Sequence, residues 1–190
     1  MIRKSLLVFF LSLTFLMGIE ESQIDYTMEN KTKTITSILK TSLSSQQKKQ
    51  KIVDSVEGLF DYDTMARISL GTMWKSLSSL EKQTFTVAFK KKLQQTYYSN
   101  LELYTDQEIT NNPLQKIKSN RITVKSDVKG KDKVYELIYK FHKEKGGNNW
   151  LIYDVEIDGV SIIQSHRNQH REFLKTKSFN ELIQSLENSK

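Results

Sequence analysis

Apolar residues recur every three or four positions along a stretch in the middle of the chain. Ser78 and Glu81 precede it with the spacing of a capping box, in which each side chain satisfies a backbone N–H at a helix start. The pattern therefore predicts a helix over residues 80–104 with one apolar face. That face carries Phe85, Phe89, Leu93, Tyr97, Leu101 and Tyr104. Such a stripe usually packs into a core, and by itself it does not identify a ligand pocket.

Weaker helical patterns precede this stretch. Residues 24–43 form a Thr-rich segment with helical spacing of its few apolar positions, and residues 52–60 predict a second helix. Asp61 or Asp63 can cap a third, short helix, which Gly71 ends because glycine readily leaves the helical conformation. The first half of the chain is therefore expected to be helical.

Alternation with a period of two residues then indicates three strands that are joined by turns. These strands cover residues 122–128, 134–141 and 150–157. Ser161 can cap a helix that follows them, and Ser178 with Glu181 forms a second capping box before a final short helix. The order of elements predicts an α+β fold, in which an antiparallel sheet of about four strands has several helices packed on one face.

The first residues do not fit that fold. Arg3 and Lys4 precede an almost wholly apolar run over residues 6–17, the layout of a secretory signal peptide. We expect residues 1–18 to be a signal peptide and residues 19–190 to form a single domain. An uncleaved N-terminal anchor is the alternative, since Leu16 and Gly18 make an imperfect cleavage site. The sequence has no cysteine, which excludes disulfides, a cysteine-linked lipid anchor and cysteine-ligated metal.

Charge limits the choice of partners only weakly. The formal net charge is +7, and without residues 1–18 the count is 27 basic against 22 acidic residues, a net charge of +5. Such a surface favours anionic partners such as lipid headgroups or acidic proteins. Ordinary solubilising lysines explain it equally well, because the basic residues are spread along the chain. The absence of a dense arginine and aromatic stripe argues against nucleic acid.

Two groups of residues are candidates for chemistry. His166 and His170 share one helix face, but their helix supplies no third metal ligand and Arg167 breaks the H-E-x-x-H pattern, so packed or surface histidines are favoured over a metal site. Ser161 lacks the elbow pattern of a hydrolase nucleophile. We interpret Ser161 as a helix cap and Asp154 as a structural carboxylate that pairs with Arg167. A protein without catalytic residues is therefore favoured.

Two sequence blocks resemble the MlaC family, also called the toluene-tolerance family. The first block is similar to the family run F-D-x-x-x-M-x-R-x-x-L-G-x-x-W, and it comprises Phe60, Asp61, Met65, Arg67, Leu70, Gly71 and Trp74. The second is similar to W-x-I-Y-D-V-x-x-x-G-V-S, and it comprises Trp150, Ile152, Tyr153, Asp154, Val155, Gly159, Val160 and Ser161. The resemblance covers nearly all of residues 19–190. Over residues 19–50 it extends only to helical character.

The resemblance implies a periplasmic carrier of phospholipids that serves an ABC-type transport system and maintains outer-membrane lipid asymmetry. It implies a curved sheet that encloses an apolar lipid cavity, a monomer, phospholipid as cargo, no cofactor, no metal and no catalysis. The implied partners are an outer-membrane MlaA-type lipoprotein with a porin and an inner-membrane MlaD-type ring. The implied lipid-binding residues are Met65, Leu70, Trp74, Phe85, Phe89, Leu93, Tyr97, Leu101, Leu137, Tyr139, Trp150, Ile152 and Val155.

The residues alone leave two other functions open. One is a protein-interaction domain whose core is solid, and the other is a small enzyme with a cone-shaped sheet that acts on an apolar substrate. A phospholipid carrier and such an enzyme both need an interior cavity, whereas the interaction domain does not. An apolar cavity therefore separates the carrier and the enzyme from the interaction domain, and phospholipid extracted in stoichiometric amounts separates the carrier from the enzyme.

Overall fold

The computed structural model of the protein describes residues 18–102, 108–130 and 133–188, with side chains up to residue 96 in the helix that spans 79–102. The predicted signal peptide lies outside the described residues, except for Gly18. The side chains of three predicted stripe residues also lie outside them, namely Tyr97, Leu101 and Tyr104.

Helices and strands occur in the predicted order. The helices are α1 (Ile24–Leu39), α2 (Ser45–Val56), α3 (Tyr62–Leu70), α4 (Ser79–Glu102), α5 (Ile162–Phe173) and α6 (Phe179–Asn188). The strands are β1 (Ile19–Glu20), β2 (Glu108–Asn111), β3 (Gln115–Lys118), β4 (Arg121–Lys129), β5 (Val134–Lys143), β6 (Asn149–Ile157) and β7 (Val160–Ser161). Short 3₁₀ turns cover Glu21–Gln23, Glu57–Leu59 and Gly71–Ser76.

The strands form one antiparallel sheet in the order β1-β6-β5-β4-β2, which confirms the predicted α+β class. β3 also pairs with β4, and β7 pairs with β6. The described residues thus contain seven strands rather than about four. The three long strands β4, β5 and β6 are the predicted ones. The other four have two to four residues each, too short for alternation to reveal them.

Three helices begin at the capping residues that the sequence predicts. The hydroxyl of Ser78 accepts from the backbone N–H of Glu81, whose carboxylate accepts from the Ser78 N–H at 2.8 Å. Ser178 and Glu181 repeat this arrangement at α6. Asp61 caps α3 by accepting from the Thr64 N–H at 2.8 Å. Each bond satisfies a backbone donor that the helix itself leaves unpaired.

Asp154 and Arg167 do not form the predicted pair. Asp154 instead accepts from the hydroxyl of Ser161 at 2.7 Å and from the Ile163 N–H at 3.2 Å, so it fixes the start of α5 on β6. The guanidinium of Arg167 lies beside Gly71, and a Cβ at that glycine would be 3.1 Å from Nε of Arg167. Gly71 has φ +58°, so it ends α3 in a conformation that other residues rarely adopt.

The interior consists of two apolar clusters. The helical cluster lies between α3, α4, α5 and α6, and the sheet cluster lies between the three long strands, α1 and the 3₁₀ turn Glu57–Leu59. Phe60 and Ile162 pack against both clusters. The backbone N–H of Asp61 donates to the carbonyl of Ile152 at 2.9 Å, which joins the start of α3 to the sheet.

An apolar cavity as the candidate functional site

An apolar cavity of about 160 Å³ lies between the sheet and the helices α1–α4. Twelve of its lining residues carry purely apolar side chains: Met28, Ile35, Ile52, Val53, Val56, Leu59, Phe60, Met65, Leu93, Leu137, Ile152 and Val155. The other five are Lys31, Thr32, Tyr62, Gln94 and Tyr139. None of the described lining residues is a carboxylate, so the space suits a hydrocarbon ligand.

The sheet wall of the cavity depends on an irregularity between β5 and β6. Tyr139 pairs with Val155 and Phe141 pairs with Ile152, so the register shifts next to Lys140 and one extra residue lies on β6. Regular alternation would point Ile152 and Val155 to opposite faces, because they are three residues apart. The bulge brings both side chains onto the cavity side.

The outer wall comes from α1 and α2. Met28, Ile35, Ile52, Val53 and Val56 face the cavity from these two helices. The α1–α2 connection begins after Leu39, and Ser44 caps α2 in a capping box with Gln47. Exposed polar side chains cover much of the remaining surface of both helices. The pair is thus an amphipathic cover over the sheet.

The two tyrosines of the lining are neutral. Desolvation raises the pKa of Tyr139 to about 12. Burial also raises the pKa of Tyr62 to about 12, although a hydrogen bond with Gln94 acts in the opposite direction. Both phenols therefore stay protonated near neutral pH, and they place no negative charge in the cavity.

A polar network closes the cavity on the α4 side. The Gln94 side chain donates to a carboxylate oxygen of Glu57 at 3.2 Å, and Lys90 forms an ion pair with the same carboxylate. The Lys90 ammonium also lies 5.0 Å from the ring centre of Tyr62. These contacts hold the 3₁₀ turn after α2 against α4, so they define one fixed edge of the space.

The thirteen residues predicted to bind lipid fall into four groups. Six of them line the cavity: Met65, Leu93, Leu137, Tyr139, Ile152 and Val155. Four pack in or against the helical cluster instead: Leu70, Trp74, Phe85 and Phe89. Trp150 is buried in the sheet cluster, where it pairs with Ile19 of β1. The side chains of Tyr97 and Leu101 lie outside the described residues.

The stripe of α4 is thus shared between two environments. Phe85 and Phe89 face α5 and α6, whereas Leu93, one turn further along, reaches the cavity. Periodicity could not reveal this change, because it depends on which elements the helix passes. The contributions of α1 and α2 were also absent from the predicted set. Their apolar positions were visible as weak helical patterns, but the two sequence blocks that carry the family resemblance begin only at Phe60, after both helices.

The two histidines lie in the helical cluster. The ring of His166 is 5.1 Å from that of Phe89, and the ring of His170 is 5.5 Å from those of Phe85 and Phe89. Burial lowers the pKa of His170 to about 4, with repulsion from His166 as a second cause. Within the described part of the chain, no three His, Cys, Asp or Glu residues are grouped as a metal would require. The pair is packed against aromatic rings.

His142 and Asp61 form a second partly buried contact. Nε2 of His142 lies 2.7 Å from a carboxylate oxygen of Asp61, whose other oxygen caps α3. The ring of His142 also packs edge-on against Tyr153 at 5.6 Å. The hydrogen bond between His142 and Asp61 joins the end of β5 to the start of α3, whose Met65 lines the cavity.

No helix among the described residues is both long and apolar enough to cross a membrane.

Comparison with known proteins gives two findings. The model of the MlaC protein family matches residues 28–188. A solved structure of a phospholipid-binding protein from Ralstonia solanacearum, in complex with a phospholipid, superposes with a TM-score of 0.73 and 22% identity. The match covers 85% of this chain and 93% of that one. At this identity the likeness establishes a shared fold.

Proposed function

The chain belongs to the MlaC protein family, and from that premise we propose that it binds a phospholipid in the apolar cavity and carries it between two membranes. The observation that carries the proposal is the cavity itself, whose lining is hydrocarbon apart from five residues. The Ralstonia solanacearum protein of the same fold is itself a phospholipid-binding protein. A binding and transport role, rather than catalysis, is the function that these observations support.

The physical need for a carrier comes from the hydrocarbon tails. Two acyl chains contain about 30 methylenes, and at roughly 0.8 kcal/mol each their full exposure to water would cost on the order of 25 kcal/mol. A protein cavity replaces the bilayer with another apolar environment, so the transfer becomes nearly balanced. Such a carrier is passive, and its partners set the direction of net transport.

The cavity must widen to admit whole tails. Its volume of about 160 Å³ is close to that of an engineered apolar cavity of about 150 Å³ in another protein that binds benzene. That space accommodates only a short part of an acyl chain. We infer that α1 and α2 move away from the sheet during loading, because these two helices form the outer wall and bury few side chains: Ile24, Met28 and Ile52.

We further propose that the protein works in the periplasm after export by residues 1–18. There it would receive or deliver lipid at an outer-membrane MlaA-type lipoprotein with a porin and at the MlaD-type ring of an inner-membrane ABC transporter. The carrier would act as a monomer. A measurement of lipid exchange with each reconstituted partner tests this assignment.

Lipid extraction tests the binding proposal. The wild-type protein, purified without detergent and extracted with organic solvent, should release phospholipid in near-stoichiometric amounts by mass spectrometry. Leu93→Arg places a charge in the cavity wall and should abolish lipid content. Val87→Arg is the matched control, because Val87 lies on the same helix and is 63% exposed. That control should keep its lipid.

A second variant guards against simple unfolding. Leu137 lines the cavity from β5 and is only partly buried, so Leu137→Trp fills the space without adding a charge. This variant should keep its circular dichroism spectrum and lose most of its lipid. Normal lipid content in both folded cavity variants would refute the site. Wild-type protein that never contains phospholipid, even after incubation with vesicles, would refute the function.

A further inference from the structure

We propose that Lys31 binds the phosphate group of the cargo, at an open groove next to the apolar cavity. The inference rests on the proposed function, since it requires that the cavity holds the tails of a phospholipid. Lys31 lines both the cavity and this groove. It therefore lies where a hydrocarbon ligand would pass from the apolar interior to the surface.

The groove lies between the N-terminal end of the described chain, α1 and the end of α2. Polar groups around Lys31 include Tyr26, Thr27 and Asn30. Hydroxyl and amide groups of this kind donate hydrogen bonds to phosphate oxygens. The groove is wide open to solvent, so a headgroup could stay hydrated while the tails enter the cavity.

Charge distinguishes this groove from the other surface depressions near α1. Among the described residues, neither the cavity nor the groove is lined by a carboxylate. The depression on the opposite side of α1 is lined by Asp25 and Glu29 together with Lys33, and a third one by Glu108 together with Lys33 and Lys40. An anionic phosphate would meet carboxylates at these two places and none at the groove, and of the three only the groove shares its lysine with the apolar cavity.

Among the described residues, Lys31 also has no counter-charge. It is half-buried, and no described residue forms an ion pair with it. Carboxylates nearby are engaged elsewhere: Glu29 pairs with Lys33, and Glu57 pairs with Lys90. A phosphate at the groove would supply the missing negative charge. Ammonium–phosphate hydrogen bonds of this kind are about twice as strong as neutral ones.

The test separates the phosphate from the tails by comparing two lipids with the same acyl chains. Wild-type protein is incubated at low ionic strength with vesicles that contain phosphatidylglycerol and the matching diacylglycerol, which lacks phosphate. Mass spectrometry then gives the ratio of the two lipids that the protein has taken up. Lys31→Gln should lower the preference for phosphatidylglycerol about five- to tenfold. Lys31→Arg should restore at least half of it.

Lys33→Gln is the matched control. It removes the same charge from the same helix, but Lys33 lines the depressions away from the groove. The ratio should change less than twofold in this variant. An unchanged ratio in Lys31→Gln, with both lipids still bound, would overturn the phosphate site and leave the carrier function intact. Failure of wild-type protein to take up either lipid would instead count against the carrier function.

Free phosphate is the other possible source of the same chemistry. Excess inorganic phosphate should reduce phosphatidylglycerol uptake no more than sodium chloride of equal ionic strength does, because the tails supply most of the binding energy. A larger loss that disappears in Lys31→Gln would show that the groove binds free phosphate, and it would overturn the assignment to the lipid headgroup.

Discussion

Acid should destabilise this protein through His170. The side chain is 4% exposed, and its pKa of about 4 in the folded protein is well below the usual value of 6.5. In the unfolded chain the imidazole takes up a proton near pH 6.5, whereas the folded chain resists it. His170 therefore does not reduce the free energy of unfolding above about pH 6.5, and it reduces it progressively as the pH falls toward 4.

The magnitude follows from the difference in pKa. Between a folded value of about 4 and an unfolded value of 6.5, linkage gives a loss of roughly 2 kcal/mol at pH 5 and about 3 kcal/mol below pH 4. The pKa of His166 is lowered as well, by burial and by repulsion from Lys92, so this residue adds to the effect. The pKa of Asp61 is also lowered, but the stability that this carboxylate contributes is lost only at more acidic pH.

Urea unfolding at pH 7.5 and pH 5, followed by circular dichroism, measures this loss. His170→Leu removes the titration while it keeps an apolar side chain against Phe85 and Phe89. Its stability at pH 7.5 shifts because the contact between Nδ1 of His170 and the Ser69 carbonyl is lost. The decisive quantity is the change between the two pH values, which should shrink by about 2 kcal/mol in the variant. An equal pH dependence in both proteins would refute the reasoning.

Two further predictions concern the fold and its movement. Gly71→Ala should lower the free energy of unfolding by about 1–3 kcal/mol, because φ is +58° and the new Cβ would press on Arg167. Gly146→Ala is the control, because Gly146 also has a positive φ but no neighbour within 4 Å, so this variant measures the backbone strain without the side-chain contact. Amide hydrogen exchange should be faster in α1 and α2 than in β5 and β6 of the lipid-free protein, and lipid loading should slow it in the two helices. Equal exchange rates in the loaded and empty protein would contradict the proposed opening.

Local chemistry along the chain was sufficient to predict most elements. The capping boxes at Ser78 and Ser178 mark helix starts because their hydrogen bonds involve residues three positions apart. Alternation revealed β4, β5 and β6 because each side chain of a strand faces one of two environments. The family resemblance rested on such blocks of neighbouring residues. These features are all readable without knowledge of distant contacts.

Tertiary structure decided which of these residues surround the cavity. The bulge in β6 turns Ile152 and Val155 to one face, and only pairing with β5 makes it visible. Phe85 and Leu93 share a stripe on α4 and one apolar cluster, yet only Leu93 also lines the cavity, because the helix passes from α6 to α2. Lys31 acquires its position beside the cavity only when α1 packs over the strands. Periodicity determines which faces are apolar, whereas the packing of distant elements determines what each face encloses.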